Sequence, residues 1–136
     1  MRQIVNGIVL VAVLWLSPHL AAAQGSSSAP APRYAPLVYG WEQFFRITWE
    51  PIEWRGRPYL RGDIVNDGGM TAMRAQLLVE TLDASGAVVH QAVHWLGSPI
   101  PPGSRVSFEV PAPRAPGYRV SMFAYGWLQT ASIEAP

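Results

Sequence analysis

Between Leu60 and Trp127 the chain reads as short alternating runs separated by turn residues, with no helical period anywhere. The runs are L-R-G-D-I-V-N, Q-L-L-V-E-T-L, R-V-S-F-E-V and Y-R-V-S-M-F-A-Y-G-W, punctuated by N-D-G-G, D-A-S-G and P-P-G. Each run is apolar on at least one face, and strands of this kind bury those faces by packing two antiparallel sheets together. The expectation is an all-β fold, a small antiparallel β-sandwich of six to seven strands.

The alternation assigns faces. Phe45, Ile47 and Trp49 share one side of a first strand that Pro51 should end, and Ile52 to Pro58 reads as a turn or ragged edge. Leu60, Gly62 and Ile64 share a face of the second, and Asn66-Asp67-Gly68-Gly69 turns the chain through residues that tolerate positive φ. Ala72 to Leu82 is apolar on both faces, as a central strand should be. A hairpin turn at Asp83 to Gly86 leads to a fourth strand, Ala87 to Trp95, expected to bury Val89, Val93 and Trp95. Val106, Phe108 and Val110 alternate in a fifth, and Tyr118 to Leu128 is the last; Trp41 or Trp54 would belong to a seventh.

Residues 1–23 carry a positive start at Arg2, an apolar run from Ile4 to Leu16, a break at Ser17-Pro18, and small residues at Ala21-Ala22-Ala23. That is the pattern of a secretory signal peptide cleaved before Gln24, and the run is shorter than the about 20 residues of a spanning helix. The expected location is periplasmic or secreted, with no stable membrane insertion after cleavage. Residues 24–36, rich in Ser, Ala and Pro, read as a disordered tether, and 37–136 as the sandwich domain. All 10 basic residues are arginine; without Arg2 the rest balance the 9 acids, so nothing draws the domain to nucleic acid. With no cysteine, the core must stabilise the domain without disulfides.

Several features together carry a resemblance. They are Gly62-x-Ile64-x-Asn66 followed by glycines, Asp83-x-x-Gly86-x-Val88-Val89, and Pro102-Gly103 followed by Phe108 two residues before Val110-Pro111. The last is Tyr118-Arg119-Val120. Residues 60–127 resemble the bacterial FxLYD domain, a secreted immunoglobulin-like sandwich. The name-giving motif is degraded to Val79-Glu80-Thr81-Leu82-Asp83, which keeps the aspartate and an apolar neighbour. The resemblance implies an immunoglobulin-like fold and no particular activity.

No residue set makes a catalytic or metal site. His90 and His94 share a strand face but sit about 13 Å apart at about 3.3 Å per residue, too far to hold one metal ion. Met70, Met73 and Met122 are better read as core filler than as copper ligands. Asp63, Asn66, Asp67 and Gly68 lack calcium-loop spacing and a closing acid. The serines lack a nucleophile-elbow context. Arg55, Arg57 and Arg61, flanked by Glu50, Glu53 and Asp63, read as a surface ion-pair patch. No cofactor is implied.

The aromatics stand out. Five of the 6 tryptophans lie beyond the leader, at Trp41, Trp49, Trp54, Trp95 and Trp127. If Val120, Met122 and Ala124 point inward, Phe123, Tyr125 and Trp127 form an outward ladder, a surface for a protein partner or a second copy. Two arrangements would hide it: an N-terminal segment around Tyr39 and Trp41 folding over it, or a mid-strand bulge that swaps the faces. The expected role is a non-enzymatic extracytoplasmic module for protein–protein interaction or envelope-associated assembly. The alternative is carbohydrate binding, with Trp54, Tyr125 or Trp127 stacking on sugar rings.

Overall fold

The computed structural model describes residues 33–129; the expected leader, most of the expected tether and the last seven residues of the expected domain, 130–136, lie outside them. After a 3-10 turn at Trp41–Gln43 come β1 (Phe45–Trp54), β2 (Arg57–Asn66), β3 (Ala72–Leu82), β4 (Val88–Trp95), β5 (Arg105–Pro111) and β6 (Gly117–Trp127). They form two three-stranded antiparallel sheets, ordered β1-β2-β5 and β4-β3-β6. Because β2 pairs with β5 and β3 with β6, the chain crosses between sheets three times, and the two sheets interlock as a small β-sandwich. Tyr118 reinforces it at the β5–β6 corner: its hydroxyl donates to the Pro113 carbonyl at 2.6 Å and accepts from the Ala115 N–H at 3.0 Å.

The core is built from the alternation. Leu60, Ile64, Phe108 and Val110 of one sheet pack against Ala75, Leu77, Val79, Val120 and Met122 of the other. Gly62 lies beneath the Phe108 ring: a Cβ there would meet Phe108 Cζ at 2.5 Å and the Thr48 carbonyl oxygen at 2.1 Å. Only glycine leaves room for that ring. Asn66 is fully buried and ties the β2–β3 turn to the β4–β5 crossing. Its Nδ2 donates to the Met70 and Ile100 carbonyls at 2.8 and 2.7 Å, and its Oδ1 accepts from the Gly68 N–H at 2.8 Å.

Several expectations are corrected. Pro51 does not end β1, because β1 is an edge strand and a missing N–H facing away from the ladder costs nothing there. The ragged segment shrinks to a two-residue hairpin turn, Arg55-Gly56, with φ of 50° and 74°. Asn66 shapes its turn through its side chain, and positive φ is absent from Asn66 to Gly69. Trp41 sits in the 3-10 turn and Trp54 ends β1, so neither makes a seventh strand. Around Asp83 the expected hairpin turn is present: Oδ1 accepts from the Ser85 N–H and hydroxyl and from the Ala87 N–H, and Gly86 has φ 83°.

Candidate binding surface

The outward ladder on β6 does not form, because two bulges reset the alternation. Between Met73↔Gly126 and Gln76↔Ala124, β3 holds Arg74 and Ala75 against Tyr125 alone, with Arg74 at φ 52°. Between Gln76↔Ala124 and Leu77↔Met122, β6 holds Phe123 with no opposite residue. The inserted Phe123 moves every later side chain to the other face. Val120 and Met122 point inward as expected, but Ala124 does not, and Tyr125 and Trp127 turn to the core instead. There the Phe45 ring stacks on Trp127 at 5.7 Å and meets Tyr125 edge-on at 4.9 Å. Burial, with the charge of Glu42 second, raises the Tyr125 hydroxyl above its usual pKa.

Phe123 stays on the outer face and is met by the N-terminal segment. Tyr34 contacts its ring edge-on at 6.1 Å, and the Leu37 N–H donates to the Phe123 carbonyl at 2.8 Å. Gln91 on β4 grips the same segment through both sides of the Tyr34 backbone: its Oε1 accepts from the Tyr34 N–H and its Nε2 donates to the Tyr34 carbonyl. Gln91 also donates to Glu80 Oε1 at 2.8 Å, while the Arg119 guanidinium pairs with Glu80 Oε2. Burial alone would raise the Glu80 carboxyl; the bonds from Arg119 and Gln91 outweigh it and hold it below the usual carboxylate value. The residues that dock are Tyr34 and Leu37, whereas Tyr39, expected to cover the ladder, is 95% exposed.

β4 is turned over relative to expectation. Its register pairs Leu77 with His94 and Val79 with Ala92, and directly paired residues share a face, so Ala92 and His94 lie on the core side. Trp95, opposite Gln76, points to the outer face and is 67% exposed; Val89 is 61% exposed. Both had been expected in the core. Val93, beside buried Leu78 of β3, lies on the same outer face two residues from Trp95, and polar Gln91 follows it there.

His94 is half-buried, and its Nε2 has no hydrogen-bond partner among the described residues. Burial, and secondarily the nearby His90, lowers its pKa below the usual 6.5. The sign follows: the unfolded chain takes up a proton first, so stability is complete above about pH 6.5 and is lost as pH falls below it. His94→Gln is expected to flatten the decline of Tm between about pH 7 and pH 5. Parallel pH profiles for both proteins would contradict this.

Trp54 is exposed, as a stacking platform requires, at the tip of the β1–β2 hairpin. One ring face is already covered by the Arg55 guanidinium at 4.5 Å, and the Tyr59 ring packs perpendicular to it at 6.3 Å. The arginine cluster disperses: Arg55 covers Trp54, and Arg61 pairs with Glu109 across the ladder rather than with its flanking acids. The outer face of the β1-β2-β5 sheet forms a depression of about 700 Å³ along Glu50, Arg61, Asp63, Ser107 and Glu109. Its polar groups largely satisfy one another, Ser107 donating to Asp63 at 2.6 Å. Among the described residues, no three His, Asp or Glu gather where they could hold a metal ion.

Sequence reasoning missed Trp95. The available signal was that β4 lacks any charged residue to mark its solvent side, so its alternation alone could not choose a face.

No family model and no curated protein matches this chain. Among solved structures, the X-ray structure of Northeast Structural Genomics Consortium target SoR45 is similar over 68% of this chain and 92% of that one. The identity is 15% and the TM-score 0.40. The assignment as a β-sandwich rests on the strand pairing described above.

Proposed function

We propose that the protein is a non-enzymatic extracytoplasmic β-sandwich module that contacts another protein through the outer face and free edge of its β4-β3-β6 sheet. The observation that carries this is Trp95, an exposed aromatic on a strand without charge, with half-buried Val93 two residues away on the same face. A large exposed aromatic among apolar neighbours is the usual centre of a protein contact. The periplasmic or secreted location and FxLYD-type membership belong to the same proposal and are supported by the sequence of residues 1–23 and 60–127. The carbohydrate alternative has the exposed Trp54 ring as its support.

Cross-linking in the native envelope, followed by affinity capture of the tagged protein, tests the proposal. A single dominant partner should be captured by wild type and lost in Trp95→Ser. That variant's stability should change by less than about 0.5 kcal/mol, as for an ordinary surface position. Binding should then be reproduced with the two purified proteins. Capture unchanged in Trp95→Ser would remove this surface from the reading. Retention on cell-wall polysaccharide that is abolished by Trp54→Ala would favour the carbohydrate alternative instead.

A further inference from the structure

Two open sheets leave four edge strands, and an exposed edge invites pairing with another chain unless charge, proline or a covering segment prevents it. β1 carries Arg46, Glu50, Pro51 and Glu53; β5 carries Arg105, Glu109 and Pro111. β6 carries Arg119 and is met by Leu37. β4, V-V-H-Q-A-V-H-W, has no charged residue and no proline, and the N-terminal segment meets it through the Gln91 side chain, which holds the Tyr34 backbone.

Among the described residues the outward backbone of β4 is unpaired. The Leu96 N–H donates to the Ala75 carbonyl at 2.9 Å. Along an antiparallel strand the N–H and C=O of alternate residues point the same way, so His94 and Ala92 also bond to β3. Gln91, Val93 and Trp95 therefore direct theirs away from the sheet. Among the described residues no backbone hydrogen bond outside the strand ladders reaches those three. A bulge at Val89, between the Thr81↔His90 and Leu82↔Val88 pairs, ends the regular stretch on one side.

We infer that β4 pairs antiparallel with β4 of a second copy about a two-fold axis near Ala92, joining two three-stranded sheets into one of six strands. The inference rests on the protein-contact reading above and names the partner. Charge favours the copy: an uncharged strand meets itself without like-charge repulsion, whereas pairing β1 or β5 with itself sets charged rows side by side. Register favours it as well. An axis at Ala92 pairs Gln91 with the second copy's Val93, in bonding phase for both outward backbones, within the regular stretch that ends at the Val89 bulge.

The test uses the full-length gene product, purified in the form that accumulates in cells. Sedimentation equilibrium should show a dimer at high micromolar concentration, and Val93→Lys should weaken self-association about tenfold or more at unchanged Tm. The chain has no cysteine, so single replacements report geometry. Under mild oxidation Ala92→Cys should form a disulfide-linked dimer, since facing Cα atoms across such an axis lie about 4.5 Å apart. Thr48→Cys, on the outer face of the other sheet, should not. A wild-type monomer overturns the inference, as does a dimer indifferent to Val93→Lys whose Ala92→Cys form links no faster than Thr48→Cys. A monomer that still binds a different protein through Trp95 overturns self-pairing alone; a monomer that binds nothing overturns the protein-contact reading too.

Discussion

Phe45→Ala is expected to lower stability by about 3–5 kcal/mol, the range for deleting a buried phenylalanine ring. For a domain of this size that moves Tm down by about 15 °C or more. The ring is 2% exposed and is what Tyr125 and Trp127 lean on where the edges of the two sheets meet. Its removal leaves a cavity and leaves two other aromatics without their packing partner. Trp127 should become wetter as a result, so tryptophan emission should shift to the red even in the folded variant. Thermal denaturation with fluorescence detection reads both effects. A loss below about 1 kcal/mol would contradict the placement of Tyr125 and Trp127 against the core.

Asn66→Ala is the second large effect, at about 3 kcal/mol. Three hydrogen bonds disappear together, and the Met70 and Ile100 carbonyls and the Gly68 N–H lose their partner near a fully buried position. Each such orphaned group costs about 1–3 kcal/mol when water cannot reach it, and water reaching the turn would offset part of the sum. Asn66→Asp should lose about as much: a carboxylate still accepts from Gly68 but cannot donate to the two carbonyls. Chemical denaturation of both variants measures this. Asp behaving like wild type would show that donation by Nδ2 is not what holds the turn.

These two residues also show what the sequence made legible. Strand positions came through because each turn declares itself chemically. Asp83 and Gly86 do so at one hairpin, and Leu60, Gly62 and Ile64 alternate cleanly on a strand whose outer face is polar. That Asn66 begins a turn was readable; that its amide reaches Ile100, 34 residues away, was not, because nothing local encodes that contact.

The candidate site was less legible, for two physical reasons. A bulge is one extra residue. At Arg74 and Phe123 it is made by residue types that do not advertise it, although it decides whether Tyr125 and Trp127 face water or core. The second reason is β4, whose alternating sides are Val-Trp and His-Ala. Hydrophobicity alone buries the first. The register imposed by Leu77 and Val79 of β3 buries the second and leaves Trp95 outside. Trp54 is exposed, and its companion Arg55 reaches it only through the tight hairpin, which nothing in the local pattern announces.

The central claim is that β4 is an edge built to receive another chain. It is tested most directly by amide hydrogen exchange at Gln91, Val93 and Trp95, followed by NMR across a range of protein concentrations. The account predicts open exchange in dilute protein and slowing at these three amides together as the strand pairs, while Ala92 and His94, already bonded to β3, stay slow throughout. Exchange at Gln91, Val93 and Trp95 that stays fast at every concentration, and in the presence of any captured partner, would contradict it.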